Sequence, residues 1–394
     1  MNFELTEEHL AVQEAARDFA QKELKPGVIE RDSKMIHATE QIKKMGELGF
    51  MGMMVSPEYG GGGMDTISYC VAMEEISKVD NSCSVAMSVN NSLVCWGLET
   101  FGTEDQKQKY LTKLAAGEWI GAFCLSEPEA GSDATSQQTT AIDMGDHYLL
   151  NGTKNWITNG GTSKVHLVIA QTDREKGHRG INAFIVETDW DGVGIGAKED
   201  KLGIRSSDTH TIMYTDVKVP KENRIGEDGF GFKFAMKVLT GGRIGIASQA
   251  VGIAAGAYEL AVAYSHERAA FGKPINQHQA IAFKLADMAT DIDAARMMVH
   301  RAAWMKDEKM DYTMSAAMAK VFASEVAMKH TVEAVQVHGG YGFVKEYHVE
   351  RLMRDAKITQ IYEGTSEIQR VVISREIIKK GNLYAPILGA PAKV

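Results

Sequence analysis

Arg354-Asp355-Ala356-Lys357-Ile358-Thr359-Gln360-Ile361-Tyr362-Glu363-Gly364-Thr365-Ser366-Glu367 is the stretch from which the rest of the chain can be read. It sets a carboxylate, Glu363, on a glycine-containing turn. An amphipathic pattern follows, with Ile368, Val371, Val372 and Ile377 as its apolar set. Ser366 and Gln369 stand at capping-box spacing, which predicts a helix starting here. A helix N-terminus presents free N–H groups and a partial positive charge. Such an end keeps a nearby carboxylate ionised, or holds a developing oxyanion or a phosphate. A base beside an oxyanion site is what proton abstraction next to a carbonyl requires. An isolated Tyr-Glu-Gly is ordinarily a solvated loop. What surrounds Glu363 in the chain therefore decides the reading.

Upstream of this turn, segments at about 230–265, 276–307 and 313–338 carry helical periodicity and predict an antiparallel bundle. Before them the texture differs. His147 to Leu150, Val165 to Ala170, Ala183 to Val186 and Thr211 to Val217 are short runs of strand formers, separated by turns such as Asn151-Gly152 and Asn159-Gly160-Gly161. The first part reads as helices again. Thr6 can cap the first, Val12, Ala16, Phe19 and Ala20 mark its face, and Lys25-Pro26-Gly27 ends it. The expected organisation is a helical unit over 1–120, a β unit over 121–229, a helical bundle over 230–380 and a tail over 381–394, an α+β chain.

The 394 residues carry a net charge of −9, against a nucleic-acid binder that works through a basic surface. Hydrophobic residues make up 44%, enough for a sizeable core. Cys70, Cys83, Cys95 and Cys124 have no CxxC spacing and read as buried thiols of a reducing compartment, with no metal site expected. Asn2 to His9 is polar and acidic, so no leader is expected, and the protein is expected in a bacterial-type cytoplasm, or in the mitochondrial matrix for a processed eukaryotic chain. Ile244 to Tyr264 is apolar but interrupted by Ser248, Gln249 and Glu259. It suits a closely packed helix, and no membrane insertion is expected.

Four further motifs carry chemistry. In Phe123-Cys124-Leu125-Ser126-Glu127-Pro128-Glu129-Ala130-Gly131-Ser132, Pro128 and Gly131 impose an irregular backbone that frees N–H and hydroxyl groups for a polar aromatic ring. In Asn155-Trp156-Ile157-Thr158, Trp156 can cover a flat ring and Thr158 can hydrogen-bond its edge; a core tryptophan in a hairpin is the plainer alternative. Arg268, with Gln279 downstream, suits a pyrophosphate, although an arginine at a helix end is usually structural. Gln336-Val337-His338-Gly339-Gly340 is a helix terminated by glycines that expose backbone. No GxGxxG follows a strand, and no P-loop or nucleophile elbow occurs.

Taken in this order, from Leu5 to about Lys379, these motifs resemble the acyl-CoA dehydrogenase family, and its short-chain, butyryl-CoA branch most closely. The resemblance implies an N-terminal all-α domain, a middle β-domain and a C-terminal four-helix bundle. It also implies a homotetramer of FAD-containing subunits that oxidise an acyl-CoA and pass electrons to an electron-transferring flavoprotein. By motif, the flavin contacts fall on Phe123 to Ser132 and on Trp156, Ile157 and Thr158. Arg268, Gln279 and Gln336 to Gly340 match further flavin positions, partly on a neighbouring subunit, as do Thr365, Ser366 and Glu367. Ser132, Thr240, Gly241, Gly242, Arg243 and Gly364 match positions that touch the acyl-CoA, and Glu363 matches the catalytic base. Two departures stand out. Thr240 replaces a usual Asp, and His338 replaces a usual apolar residue. Some relatives carry the base on the helix holding Thr240 to Arg243; here that position is Gly242. Burial under the acyl chain is expected to raise the Glu363 pKa, and the helix end to oppose the rise.

Overall fold

The structure, a computed structural model, describes residues 4–380. The expected tail over 381–394 lies outside the described residues.

The first helix, α1 (Glu7–Phe19), is capped by Thr6, whose Oγ1 accepts from His9 N while His9 Nδ1 accepts from Thr6 N. Its expected face, Val12, Ala16 and Phe19, is buried together with Ala20. Helices α2 (Thr66–Ser77) and α3 (Asn81–Ser88) are buried on every side, so neither shows one apolar stripe. A wide π-helical turn, Val89–Cys95, continues α3 and brings Leu93 to face the C-terminal helices. Such turns recur where a side chain must be re-aimed at a functional site.

The middle sheet contains β1 (Gly121–Cys124), β2 (Thr140–Asp143), β3 (His147–Thr158), β4 (Val165–Gln171), β5 (Ile181–Glu187), β6 (Val193–Lys198), β7 (Thr209–Pro220) and β8 (Arg224–Ile225). Their order is β6-β7-β3-β2-β4-β5-β8, with β1 parallel to β4. β4 is buried throughout because it feeds two cores. Val165, Leu167 and Ile169 face one that includes the C-terminal helices, and Val168 and Ala170 face one within the sheet. β3 and β7 pair antiparallel, and the register shifts between Lys154↔Ile212 and Ile157↔His210. Three steps on β3 oppose two on β7, a bulge that places Trp156 at φ 63° with its indole outward, 63% exposed.

The last layer is α4 (Gly231–Glu267), α5 (Gln279–Asp307), α6 (Thr313–His338), α7 (His348–Thr359) and α8 (Ser366–Lys380). α4 is long and apolar enough to cross a membrane, yet 72% of its most apolar window is buried against its neighbours. At Gly252 a Cβ would meet the Ser77 side chain at 2.6 Å, so α4 and α2 approach through this glycine. The four cysteines are free and buried, as the sequence predicts.

The cap of α8 corrects one expectation. Thr365, not Ser366, accepts from the first turn, through Ile368 N at 3.3 Å. Ser366 is the first helical residue, and its hydroxyl is buried without a partner. Gln369 makes no capping box; its amide turns back to the carbonyls of Glu363 and Gly364. The expected apolar set is only partly covered, with Val371 39% exposed.

Candidate active site

Glu363 sits on the connection between α7 and α8. It has φ 53° and Gly364 has φ 90°. Glycine adopts such a backbone freely, whereas a glutamate does so only when its surroundings hold it. Gln369 Nε2 donates to Glu363 O at 3.1 Å and to Gly364 O at 2.8 Å. Lys320 Nζ, from α6, donates to Gly364 O at 2.8 Å. Before the turn, Tyr362 OH donates to Gln249 Oε1 on α4. Three separate helices thus fix the turn.

The Glu363 carboxylate points onto α4. Its Oε2 is buried and has no hydrogen-bond partner. A side chain at Gly242 would collide with that oxygen and with Leu93 Cδ2. Burial pushes the Glu363 pKa up to about 7, against the lowering influence of Lys320 and Arg243. Burial by the protein alone, without an acyl chain, already raises it. Arg243 is itself buried; its Nε has no partner, and burial lowers its pKa against the pull of Glu363 and Tyr312. Thr240 donates its hydroxyl to Met236 O at 2.8 Å, back along its own helix, so only its lone pairs face other groups.

The strand-exit motif separates into side chains that stay accessible and side chains that are packed inside. Ser126, Pro128, Glu129, Gly131 and Ser132 are partly or fully exposed, and Phe123 is half-buried against Phe234. Cys124, Leu125, Ala130 and Ile157 are buried in the cores, which leaves only their backbone to a ligand. The Glu127 carboxylate is also committed. It accepts from Lys154 Nζ at 2.7 Å and from the amides of Gln138 and Thr139. Lys154, fully buried, donates to Leu125 O at 3.1 Å and Gln137 Oε1 at 2.6 Å as well, and burial lowers its pKa to about 8. This pair ties β3 to the strand exit.

Arg268 and the residues Val337 to Gly340 meet elsewhere, around an apolar cavity of about 830 Å³ also lined by Tyr264, Phe271 and Tyr341. Gln279 and Gln336 are exposed beside it. His338 stacks on Tyr264 with centroids 4.4 Å apart, and its Nδ1–H donates to Ala334 O at 2.8 Å. Lys320 and His338 are eighteen residues apart on α6, about 27 Å along the helix. One subunit therefore does not bring this cavity to Glu363. Thr365 and Glu367 flank the Glu363 turn, half-buried and exposed respectively.

Some site residues carried no local motif. Leu93 and Gln249 lie in helical stretches without special spacing. Lys320 had a usable signal, a lysine among Ala316, Ala317, Ala319 and Ala323, all of them buried.

Three family models match consecutive parts of the chain: acyl-CoA dehydrogenase N-terminal domain over residues 6–118, middle domain over 122–217 and C-terminal domain over 229–378. The chain belongs to the acyl-CoA dehydrogenase family. It is 50% identical over 379 residues to the "Acyl-CoA dehydrogenase, short-chain specific" of Clostridium acetobutylicum, covering 96% of this chain and 100% of that one. Butyryl-CoA dehydrogenase from Megasphaera elsdenii superposes with a TM-score of 0.95 at 49% identity, over 96% and 100% of the two chains. A chain of the structure described as "Electron transferring flavoprotein of Acidaminococcus fermentans: Towards a mechanism of flavin-based electron bifurcation" superposes with the same score at 51% identity, again over 96% and 100%. The acyl-CoA dehydrogenases are FAD-dependent oxidoreductases, and this chain is an enzyme of that class. Its residues fit a flavin. The Trp156 indole stands outward at the bulge, nothing lies within 4 Å of where a Cβ would stand on Gly131, Gly339 or Gly340, and the Ser366 hydroxyl is buried without a partner.

Proposed function

We propose that this acyl-CoA dehydrogenase converts a short, straight-chain acyl-CoA to its trans-2-enoyl-CoA, with Glu363 taking the α-proton. The observation that carries this reading is the half-buried Glu363, its Oε2 sealed from water without a partner and its pKa pushed up to about 7. A general base works best with its pKa near the working pH. Near neutrality this one is partly ionised, and it gains basicity from its dry surroundings. Identity near 50% to chains described as short-chain specific supports the short substrate; a glutaryl-CoA dehydrogenase reaches 35%.

FAD, when bound, supplies the acceptor for the β-hydride and the link to an electron-transferring flavoprotein. Trp156, Thr158, Ser126, Thr365 and Ser366 would hold it on the subunit that contributes Glu363. Arg268, Gln279 and Gln336 to Gly340 would reach it from a neighbouring copy in a tetramer, since they gather at the C-terminal end of α6, too far from the Glu363 turn of their own subunit. The turn fixed by Gln369 and Lys320 keeps Glu363 aimed, and Gly242 with Leu93 confines the carboxylate to one side. The thioester α-carbon is placed on the side left open. When the proton moves to Glu363, the carboxyl becomes neutral in a site that already favours the neutral form.

A panel of acyl-CoAs scored by anaerobic flavin reduction tests substrate and chemistry together. Butyryl-CoA should bleach the flavin fastest. Glu363→Gln should slow it by roughly 10²–10⁴-fold, the range for loss of a general base, with FAD content unchanged. Bleaching of Glu363→Gln at the parent rate would place the base elsewhere.

A further inference from the structure

Lys320 is fully buried, and its ammonium donates to a neutral backbone carbonyl, that of Gly364, at 2.8 Å. A lysine is almost never fully buried unless an opposite charge or a special role holds it there. Gly364 O already accepts from Gln369 Nε2 at 2.8 Å, so the carbonyl does not depend on the lysine for a partner. Among surrounding charges, Glu363 interacts with Lys320 most strongly, and Lys320 in turn is the charge that most strongly favours ionised Glu363.

We infer that Lys320 is a positioning residue for proton abstraction: it clamps the carbonyl that follows the base and from there sets a positive charge that acts on the Glu363 carboxylate. The inference rests on the reading of Glu363 as the base. The other groups around the carboxylate do not duplicate it. Arg243, from α4, is the second cation. Tyr69 on α2 and Tyr362 on the turn itself are phenols held neutral by burial. Tyr312, next to Arg243, is neutral as well, burial pushing it up to about 12. Glu325 and Glu367 also act on Lys320, but more weakly than Glu363. Without Lys320, burial would act on Glu363 opposed by Arg243 alone, and the base would ionise only at higher pH. Burial also lowers the pKa of Lys320, to about 8, which leaves the lysine charged on the acid side of the Glu363 titration, where the limb is read.

Two variants separate charge from clamp. Lys320→Gln keeps a donor for Gly364 O and loses the charge; Lys320→Met loses both. The acid limb of kcat/KM is measured with FAD-saturated enzyme and butyryl-CoA. In both variants it should move up by about one pH unit, the low end of what a close opposite charge does. Well below the limb this is a roughly tenfold slower reaction. Lys320→Met should also lower the high-pH plateau, because the turn is less well held, whereas Lys320→Gln should keep it. An unmoved limb in Lys320→Gln would overturn the inference and reduce the lysine to a space-filling part. If Lys320→Gln does not retain fold and flavin, Lys320→Arg carries the test. With its charge kept, its limb should stay at the parent value, and a moved limb overturns the inference. Glu363→Gln in the same assay separates the two claims: if it keeps activity, the reading of the base has failed, whatever Lys320 does.

Discussion

Oε2 of Glu363 occupies the space into which a side chain at Gly242 would grow. The two residues are far apart in the chain, yet each decides what the other can be. A glycine at 242 gives the carboxylate its seat on α4. The carboxylate, once there, is desolvated enough that its pKa is pushed up to about 7.

Gly242→Ala should therefore displace the carboxylate. An added Cβ meets both Glu363 Oε2 and Leu93 Cδ2, and the former is the mobile end of a side chain. The fold should survive while the base loses its aim. A misplacement of about 1 Å can reduce rate on the order of 10²-fold. Stopped-flow flavin reduction by butyryl-CoA measures this, with bound FAD as the control; reduction within about threefold of the parent would show that the carboxylate is not confined there.

Glu363 also ties stability to pH. Its folded-state pKa, about 7, is raised above the ordinary 4.5. The neutral carboxyl is thus favoured by folding, so its contribution is fully present below pH 4.5 and is lost as pH rises through 7. Glu363→Gln removes this penalty and should be more stable than the parent at pH 8, by about 1–3 kcal/mol, with the gap closing towards pH 5. Denaturation midpoints of both proteins at the two pH values test this. A gap that does not change with pH would mean that the group is not buried as described.

The kinetic counterpart has the opposite direction. As the proposed base, Glu363 must be ionised, so kcat/KM should fall as pH drops below about 7, with a slope of one proton. The limb should vanish in Glu363→Gln. A profile flat from pH 5 to 8 in the parent would contradict the raised carboxyl.

Lys154→Met should damage the flavin side of the site without touching the base. It leaves the Glu127 carboxylate buried with amide partners only, and removing one member of such a buried pair destabilises by about 3–5 kcal/mol. Thermal unfolding should begin several degrees lower, and the FAD-to-protein absorbance ratio should drop. Unchanged FAD retention would show that the strand exit does not depend on this pair.

Arg268→Ala addresses the distant cavity. Arg268 is exposed and lies over the Tyr341 ring with its guanidinium 5.8 Å from the centroid, so it is not needed to hold its own helix. If it reaches a phosphate of a neighbour's cofactor, its loss should weaken FAD retention by about 1.5–3 kcal/mol. Equilibrium dialysis and sedimentation velocity read this out; unchanged FAD affinity with unchanged sedimentation would leave the arginine structural.

Much of this was legible before any coordinates. Short runs of strand formers between turn residues marked β4 and β5, and 3.6-residue patterns marked α4 to α6, because residue type and spacing act locally. Thr6 as the cap of α1 followed from local chemistry alone. The misjudged cap of α8 shows the limit. Thr365, Ser366 and Gln369 offer two capping arrangements of nearly equal local merit, and the choice fell to the carbonyls of Glu363 and Gly364, which captured the Gln369 amide.

By itself, the sequence determined which chemical groups this protein has and their order along the chain: a glutamate on a glycine turn, a tryptophan in a strand, a helix ended by glycines, and the helix–sheet–helix layout that makes it an acyl-CoA dehydrogenase. Tertiary structure alone decided that Glu363 Oε2 is sealed from water, that Gly242 makes room for it, that Lys320 and Arg243 oppose its neutralisation, and that the Arg268 cavity belongs to a different part of the molecule. The physical reason is that hydrophobic pattern and capping act over a few residues, whereas desolvation and electrostatic coupling depend on atoms brought together from α3, α4, α6 and the turn before α8. No single segment of the chain records that meeting.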